Sequence, residues 1–275
     1  MNIAIVGATG NVGRKTLEVL EKKGLTLGNL YLVASSKSAG KKIQFQGKDI
    51  VVSELENFDF SKVKIAFFAA GGKISEKFAE KAAKHCLVID NSSFFRMDPD
   101  VPLIVPQVNS DALNNIKKNI IANPNCSTAQ LVIALKPLHD LFVIKRIVVS
   151  TYQSVSGAGK ASMDELIKQT KLALEGKDIK SENFTKPIAF NAIPHIDVFS
   201  EDGYTKEELK MRNETKKILD DKIDLTATCV RLPISVSHSE SVNIQFEKSF
   251  SLEQIKKALN SCLLYTSDAA DDMQC

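Results

Sequence analysis

One of the cysteines, Cys126, lies in a sequence context that suits a nucleophilic thiol. Cys126 follows the segment Asn-Pro-Asn and precedes apolar residues repeated at helical spacing. Pro124 favours an extended backbone before it and Asn125 is a natural N-cap, so the pattern predicts that Cys126 lies in the first turn of a helix. Unpaired N–H groups and the helix dipole favour an anion there, which predicts a lowered thiol pKa and a nucleophile. The alternative is a small buried residue that happens to begin a helix.

A nucleophilic thiol needs a base, and the chain has four histidines. His139 lies thirteen residues further along the same predicted helix. At 1.5 Å per residue that is roughly 20 Å, which is too far to reach the thiol. His85 precedes a buried strand and is expected at the surface, whereas His195 follows a proline in a loop and stays open as a candidate. His238 lies between two predicted strands, seven residues after Arg231, and is the favoured base.

Length and composition exclude several classes of protein. The 275 residues suit two domains, and 44% hydrophobic content is enough for a sizeable core. A net charge of +3 with interleaved signs argues against nucleic acid or an anionic membrane as a partner. No apolar run approaches the roughly 20 residues of a membrane span and no leader precedes the first strand, so a cytoplasmic location is expected. The five cysteines contain no C-x-x-C pair, which argues against a disulfide framework and a zinc site.

The two halves of the chain differ in strand pattern. Short, almost wholly apolar strands alternate with helices in the first half, as in a doubly wound parallel sheet. Longer strands in the second half alternate apolar and polar residues, as in a mixed sheet with one buried face. We therefore predict an α/β protein with a Rossmann-like dinucleotide-binding domain over 1–124 and an α+β substrate domain over 125–262. Residues 263–275 fit neither pattern and stay unassigned. Helices are predicted near 74–84, 160–175 and 205–220.

The segment GATGNVG follows the first strand and opens a helix. Its glycines, three residues apart, form a variant of the dinucleotide fingerprint, in which the backbone approaches a pyrophosphate at a helix N-terminus. The second strand ends in serines and a lysine rather than an acidic residue, which favours NADP over NAD. The alternative there is an ordinary polar loop. The residues expected to bind the cofactor are Gly7, Ala8, Thr9, Gly10, Asn11, Val12, Gly13, Ser35, Ser36, Lys37 and Ser38.

Seven segments in order together resemble the aspartate-β-semialdehyde dehydrogenase family, within the glyceraldehyde-phosphate-dehydrogenase-like two-domain superfamily. They run from residue 7 to residue 241 and are far more specific together than any one alone. The segments are GATGNVG, SSFFRMDPDVPLIVPQVN, NPNCST, STYQSVSGAGK, FNAIPHID, EELKMRNETKKIL and CVRLPISVSHSES.

This resemblance implies catalytic and substrate-binding roles for matching residues. Cys126 is expected to be the acyl-accepting nucleophile and His238 the acid and base. Gln153 is expected to position the thiol and the substrate. Arg231 matches the position that binds the substrate's α-carboxylate, and Glu207 the position that holds its amino group. For Glu207 the alternative is a solvated helix face.

The resemblance also implies phosphate and nicotinamide contacts. Arg96, Asn125 and Lys210 match the phosphate-binding positions, although Lys210 also suits a solvated helix face. Gly157 and Gly159 are expected to lie near the nicotinamide of the cofactor, in addition to the first glycine loop.

The activity implied by the resemblance is NADPH-dependent, reversible reductive dephosphorylation of L-aspartyl-4-phosphate to L-aspartate-4-semialdehyde. It would proceed through a cysteine thioester, in lysine, threonine and methionine biosynthesis, in a homodimer joined through the substrate domains. One alternative is an N-acetyl-γ-glutamyl-phosphate reductase, but Glu207 argues against it because an N-acetyl group has no charge to pair. The family's chains continue beyond the last predicted helix, so this chain looks truncated, and an inactive nucleotide-binding fragment is the other alternative.

Overall fold

The structure is a computed structural model that describes residues 1–261. The unassigned stretch 263–275 therefore lies outside the described residues. The chain divides into two compact units. The first comprises 1–104 and 110–124, and the second comprises 105–109 and the chain from residue 125 onward.

The first unit is built on a seven-stranded sheet. The strand order is β3-β4-β2-β1-β5-β6-β7, and all neighbours pair in parallel except β3, which forms an antiparallel hairpin with β4. The chain thus winds outward from β1 in both directions, which confirms the predicted Rossmann-like fold. The strands are β1 (Ile3–Val6), β2 (Leu30–Ala34), β3 (Lys42–Phe45), β4 (Lys48–Glu54), β5 (Ile65–Phe68), β6 (Leu87–Asp90) and β7 (Ile120–Ala122), and the helices are α1 (Asn11–Lys22) and α2 (Gly72–Ala83).

Burial explains why these segments form strands. Every residue of β1 is buried, as expected for a central parallel strand that is covered on both faces. The core of this unit joins Ile5 and Leu32 of the sheet to Leu17 and Leu20 of α1. The predicted helix near 74–84 is confirmed as α2, which begins two residues earlier.

The second unit contains a three-stranded mixed sheet in the order β10-β8-β9. Strand β8 pairs in parallel with β9 and antiparallel with β10, which confirms the predicted mixed sheet. The elements are α3 (Pro106–Asn109), α4 (Cys126–Phe142), β8 (Ile144–Gln153), α5 (Lys160–Leu174), α6 (Lys206–Ile218), β9 (Asp224–Arg231), β10 (His238–Phe246) and α7 (Leu252–Asn260).

Helices α4 and α6 supply the core on the buried face of this sheet. Leu131 and Leu135 of α4 and Met211 of α6 join Ile147 and Val149 of β8 in one cluster. The predicted helices near 160–175 and 205–220 are confirmed as α5 and α6. Within residues 1–261 no helix is both long and apolar enough to cross a membrane.

Candidate active site

The thiol sits at the start of a capped helix, as the sequence predicts. Helix α4 begins at Cys126, and the Asn125 side chain accepts hydrogen bonds from the N–H groups of Ser127 and Thr128 at 2.9 and 3.4 Å. The Asn125 N-cap is therefore confirmed. Cys126 is exposed, whereas Cys86 and Cys229 are buried.

Three predicted site residues form one row across the mixed sheet. Gln153, the last residue of β8, is paired in register with His238 of β10 and with Arg231 of β9. Directly paired residues point to the same face of a sheet and lie about 4.5–5.5 Å apart. The sheet therefore brings an amide, an imidazole and a guanidinium side by side, although they are far apart in sequence.

Gln153 connects this row to helices α4 and α6. Its Nε2 donates to Ser127 Oγ at 2.6 Å and to Glu207 Oε1 at 3.2 Å. Because a carboxylate only accepts hydrogen bonds, these contacts fix the orientation of the amide. Its Oε1 is buried and has no hydrogen-bond partner within the described chain. A buried, unpartnered acceptor is suited to receive a donor from a ligand or from the thiol.

Helix α6 supplies a carboxylate to the same cluster. A capping box of Thr205 and Glu208 begins the helix and places Glu207 in its first turn, where it is buried. Asn125 Nδ2 donates to Glu207 Oε1 at 3.0 Å, and Lys210 Nζ donates to Oε2 at 3.2 Å. Burial acts to raise the pKa of Glu207, but the charge of Lys210 and the donated hydrogen bonds outweigh it and hold that pKa below its usual value.

The prediction of a lowered thiol pKa is wrong for this arrangement. Although the residue is exposed, the protein atoms packed around its sulfur partly desolvate it, and this desolvation, followed by the negative charge of Glu207, raises the pKa of Cys126. Hydrogen bonds from Ser127 and the charge of Arg231 oppose that rise without cancelling it. The helix start acts locally on the sulfur, whereas the opposing carboxylate comes from α6. Cys126 thus requires a base to become a nucleophile.

Arg231 presents a buried cation toward this cluster. Its residue is 7% exposed, and Nη1 donates to the Ser154 carbonyl at 2.5 Å. Desolvation lowers the pKa of Arg231, and the charge of Glu207 opposes this. Among residues 1–261 no carboxylate forms an ion pair with the guanidinium, so its remaining donors are available to an anion. A planar fork of this kind suits a carboxylate.

His238 begins β10 with its ring held by the backbone. Nδ1 lies 2.9 Å from the Ser237 carbonyl and 3.1 Å from the Ser154 N–H. Ser237 has φ +86°, a left-handed conformation that is costly for a residue with a side chain and is typical of functional sites. Desolvation lowers the pKa of His238; the Ser237 carbonyl opposes this, and Arg231 lowers it further. The imidazole is therefore neutral near pH 7 and able to accept a proton.

The candidates Lys210, Gly157, Gly159 and Arg96 differ in surroundings. Lys210 pairs with Asp197 at 2.9 Å as well as with Glu207. A Cβ atom at Gly157 would lie 3.5 Å from Arg231 Nη1 and 3.6 Å from His238 Nε2, so this backbone passes beside the row. Gly159 has φ +96° and is the N-cap of α5.

Arg96 belongs to the first unit. Its Nε donates to the Asn123 carbonyl at 2.9 Å, and one terminal nitrogen donates to the Asn91 carbonyl at 3.1 Å. These bonds fix a buried guanidinium near the carboxyl ends of β6 and β7, the edge at which doubly wound sheets bind ligands.

The glycine loop of the first unit has the geometry of a dinucleotide cradle. Gly7 has φ +88°, and a Cβ atom there would lie 2.6 Å from the Ala69 carbonyl oxygen. A Cβ atom at Gly13 would lie 2.3 Å from the Gly7 carbonyl oxygen, so only glycine allows α1 to pack this closely. Gly10, the N-cap of α1, supplies no side-chain cap, which leaves N–H groups for an anion. These residues fit a pyrophosphate.

The loop after β2 lies beside the glycine loop. Thr9 Oγ1 is 3.5 Å from Ser38 Oγ, and residues Ser36–Ser38 form a single 3-10 turn after β2. Ser35, Ser36 and Lys37 are exposed. The predicted ribose-side residues thus adjoin the predicted pyrophosphate loop.

The sequence reasoning missed several supporting residues. Glu214 is 1% exposed and accepts the Asn125 N–H at 2.6 Å, which holds the residue before the thiol. It lies seven residues after Glu207, or two helical turns, so helical spacing places both carboxylates on one face. Ser127 and Ser154 also bind site residues, but nothing in the sequence singles them out from other serines.

Comparisons with known proteins agree with this geometry. Residues 2–116 match the family model described as semialdehyde dehydrogenase, NAD binding domain, and residues 135–265 match semialdehyde dehydrogenase, dimerisation domain. The aspartate-semialdehyde dehydrogenase of Aquifex aeolicus is 53% identical over 264 residues, which cover 94% of this chain and 78% of that protein. The chain belongs to the aspartate-semialdehyde dehydrogenase family.

Solved structures of the family have the same fold. Aspartate-semialdehyde dehydrogenase II from Vibrio cholerae, complexed with ASA, is 48% identical with a TM-score of 0.93, covering 95% of this chain and 79% of that chain. The enzyme from Candida albicans with NADP is 26% identical with a TM-score of 0.68, covering 100% of this chain and 78% of that chain. The alternative of an N-acetyl-γ-glutamyl-phosphate reductase is not favoured by these matches.

Proposed function

We propose that this chain catalyses the NADPH-dependent, reversible conversion of L-aspartyl-4-phosphate into L-aspartate-4-semialdehyde and phosphate. The observation that carries the proposal is the buried Arg231 guanidinium, which has no ion-pair partner among residues 1–261 and lies in one row with Gln153 and His238. A buried cation is costly without an anion, so this site is complementary to a ligand carboxylate. The Vibrio cholerae relative with ASA supports the same substrate class.

Different residues of the site are proposed to bind the different charged groups of the substrate. Arg231 binds the α-carboxylate, and Glu207 binds the ammonium group. The unpartnered Gln153 Oε1 adds an acceptor to the site, and two kinds of acceptor suit the three N–H donors of an ammonium group better than the single uncharged N–H of an acetylated amine. Lys210 and the Asn125 cap would contribute to the phosphate side.

The proposed bond changes start from the Cys126 thiol at the head of α4 and the neutral imidazole of His238 at the start of β10. His238 Nε2 accepts the proton of Cys126, and the sulfur forms a bond to the acyl carbon while the carbon–oxygen bond to phosphate breaks. Phosphate leaves with that electron pair and takes the proton from His238. When bound, NADPH supplies the hydride that reduces the resulting thioester. The oxyanion of the hemithioacetal then collapses: its carbon–sulfur bond breaks, the aldehyde is released with its carbonyl re-formed, and the thiolate leaves with the electron pair and takes up a solvent proton through His238.

The proposed cofactor is NADP rather than NAD. The loop after β2 offers Ser35, Ser36, Lys37 and Ser38, and no carboxylate, to the ribose. Hydroxyls and a cation suit a 2′-phosphate, whereas a carboxylate would bind the 2′-hydroxyl of NAD. The Candida albicans relative, whose structure was solved with NADP, supports this choice. Initial rates with NADP and NAD at equal concentration test it, and a preference for NAD would overturn it.

The proposed assembly is a homodimer. Residues 1–124 would form the dinucleotide-binding domain, and residues 125–262 the catalytic domain that joins the two copies. The match of residues 135–265 to a dimerisation domain supports this arrangement. Sedimentation equilibrium tests it, since a monomer mass at micromolar concentration would contradict the proposal.

The decisive experiment is phosphate-dependent formation of NADPH from aspartate semialdehyde. Cys126→Ala should abolish this activity while NADP still raises the melting temperature. Cys86→Ala is a matched control, since that thiol is buried and burial raises its pKa to about 11. Activity retained in Cys126→Ala would refute the assignment of the nucleophile. Faster turnover of the N-acetylated glutamate aldehyde would favour the alternative reductase.

A further inference from the structure

One side-chain hydrogen bond joins the element that carries the thiol to the element that carries its base. Gln130 Nε2 on α4 donates to Glu240 Oε1 on β10 at 2.8 Å. Gln130 comes four residues after Cys126, and Glu240 comes two residues after His238. Neither residue belongs to the substrate-binding set described above.

The distance from Cys126 to Gln130 along α4 is nearly the same as the distance from His238 to Glu240 along β10. Four residues of α-helix advance about 6 Å, and two residues of antiparallel strand advance about 6.8 Å. Gln130 faces the same side of α4 as Cys126, because residues four apart share a helix face. Glu240 shares a face of β10 with His238, because side chains alternate along a strand. The hydrogen bond therefore joins α4 and β10 at nearly the same distance from Cys126 on the helix as from His238 on the strand.

The strand register places Glu240 in the row of paired residues next to the row formed by His238, Gln153 and Arg231. Glu240 is paired with Thr151 of β8, and Thr151 is paired with Cys229 of β9. This second row is two residues along from the first and faces the same side. Thr151 and Cys229 are fully buried, and Glu240 is half-buried.

A carboxylate at this position is costly unless it has a partner. Desolvation raises the pKa of Glu240 to about 7, and the Gln130 hydrogen bond opposes that rise. An apolar pair would cover this part of the sheet without that cost. The polar pair instead fixes one distance and one direction between α4 and β10.

We propose that Gln130 and Glu240 are positioning residues that set the separation of the Cys126 thiol from the His238 imidazole. This inference rests on the proposed function, because it assigns the thiol and the imidazole their roles. Neither side chain touches substrate; both act through the elements that carry the reacting groups.

The test compares Gln130→Ala, Glu240→Ala and the double variant with the unchanged protein. Each single variant should lower kcat for aspartate semialdehyde about tenfold while KM changes less than about threefold, because misplaced groups slow the chemical step more than binding. The double variant should be no slower than either single variant, since one hydrogen bond is lost in all three. Glu240→Gln keeps an acceptor oxygen and should stay within about threefold of the unchanged protein.

A matched control removes a different hydrogen bond, one made at the C-terminal end of the same helix, α4. Lys248 Nζ donates to the Leu141 carbonyl at 3.5 Å. Leu141 lies fifteen residues after Cys126, roughly 22 Å along the helix. Lys248→Ala should therefore leave kcat unchanged. A tenfold loss in Lys248→Ala would show that any loosening of α4 impairs the enzyme, and would overturn the specific role of Gln130 and Glu240.

A second measurement does not depend on turnover. Iodoacetamide modification of Cys126 at pH 7, followed peptide by peptide by mass spectrometry, reports proton removal from that thiol alone. Gln130→Ala should slow it about tenfold in the otherwise unchanged protein and should have no effect in a His238→Ala background. Equal slowing in both backgrounds, or an unchanged rate and kcat with only a lower melting temperature, would refute the proposal. Absence of aspartate-semialdehyde turnover in the unchanged protein would count against the proposed function instead, and the modification rates would still decide this inference.

Discussion

Replacing Arg231 by lysine tests whether the guanidinium of this residue binds the substrate's carboxylate. Lysine keeps the positive charge but lacks the planar fork that binds both carboxylate oxygens. Arg231 as a residue is only 7% exposed, so water cannot readily replace a lost contact. Loss of one charge-assisted hydrogen bond costs about 1.5–3 kcal/mol, which corresponds to about 10- to 150-fold in binding. We expect KM for aspartate semialdehyde to rise by at least about tenfold, with a smaller change in kcat.

The assay is the initial rate of phosphate-dependent NADPH formation across a range of aldehyde concentrations. Arg146→Lys is a suitable control, because Arg146 lies on β8, the strand paired with the β9 strand of Arg231, but is exposed, with the Asp224 carboxylate 3.9 Å away. That variant should keep the unchanged KM. Loss of the Arg231 bond to the Ser154 carbonyl should also lower the melting temperature, so stability is measured in parallel. An Arg231→Lys enzyme with unchanged KM would refute the idea that this cation anchors the substrate.

Three further outcomes follow from the charges and the backbone. Glu207→Gln removes a charge that raises the pKa of Cys126, so the pH midpoint of Cys126 modification by iodoacetamide should move down; an unmoved midpoint would contradict this. The pKa of His238 lies below its ordinary 6.5, so its neutral form persists to lower pH. The value of kcat/KM should therefore stay level through neutral pH and fall only below 6.5, and a midpoint above 6.5 would contradict the assignment. Gly7→Ala meets a backbone oxygen at 2.6 Å, so it should abolish the rise in melting temperature caused by NADP. Gly24 also has a positive φ, but an added Cβ atom there would meet no other atom, so Gly24→Ala should retain the rise in melting temperature caused by NADP. If both variants lost that rise, the strain of a positive φ alone would explain the loss.

Local chemistry made much of the fold predictable. The wholly apolar strand Ile3–Val6 followed by a glycine turn indicates a buried parallel strand, and β1 is the centre of the first sheet. Alternating strands in the second half indicate one buried face, and β9 shows that alternation in its burial. The short segment Val105–Asn109, which belongs to the second unit, has no such signal, because its placement depends on packing between distant parts of the chain.

The site was predictable where its cause is local in sequence. Asn125 caps the Cys126 helix because Asn-Pro-Asn determines the backbone there, whatever surrounds it. The Gln153 row depends on strand register, which a single sequence does not specify. Glu214 was missed because its partner is a backbone N–H, which carries no residue-type signal. The thiol pKa was predicted wrongly because desolvation and the charge of Glu207 act on the sulfur only once α6 packs against α4, which a single sequence does not show.

The pKa shifts of Cys126 and His238 have opposite directions, and together they determine where the proton lies before the reaction starts. A raised thiol pKa and a lowered imidazole pKa place the proton on sulfur in the ligand-free protein. An ion pair of thiolate and imidazolium is then not the resting state, so attack requires proton transfer from Cys126 to His238 as the substrate binds. Proton transfer falls off steeply with donor–acceptor distance, and that distance is set by how α4 lies on β10. The Gln130–Glu240 bond fixes that spacing about one helical turn from the thiol, which explains why a polar pair occupies a position where an apolar pair would pack at lower cost.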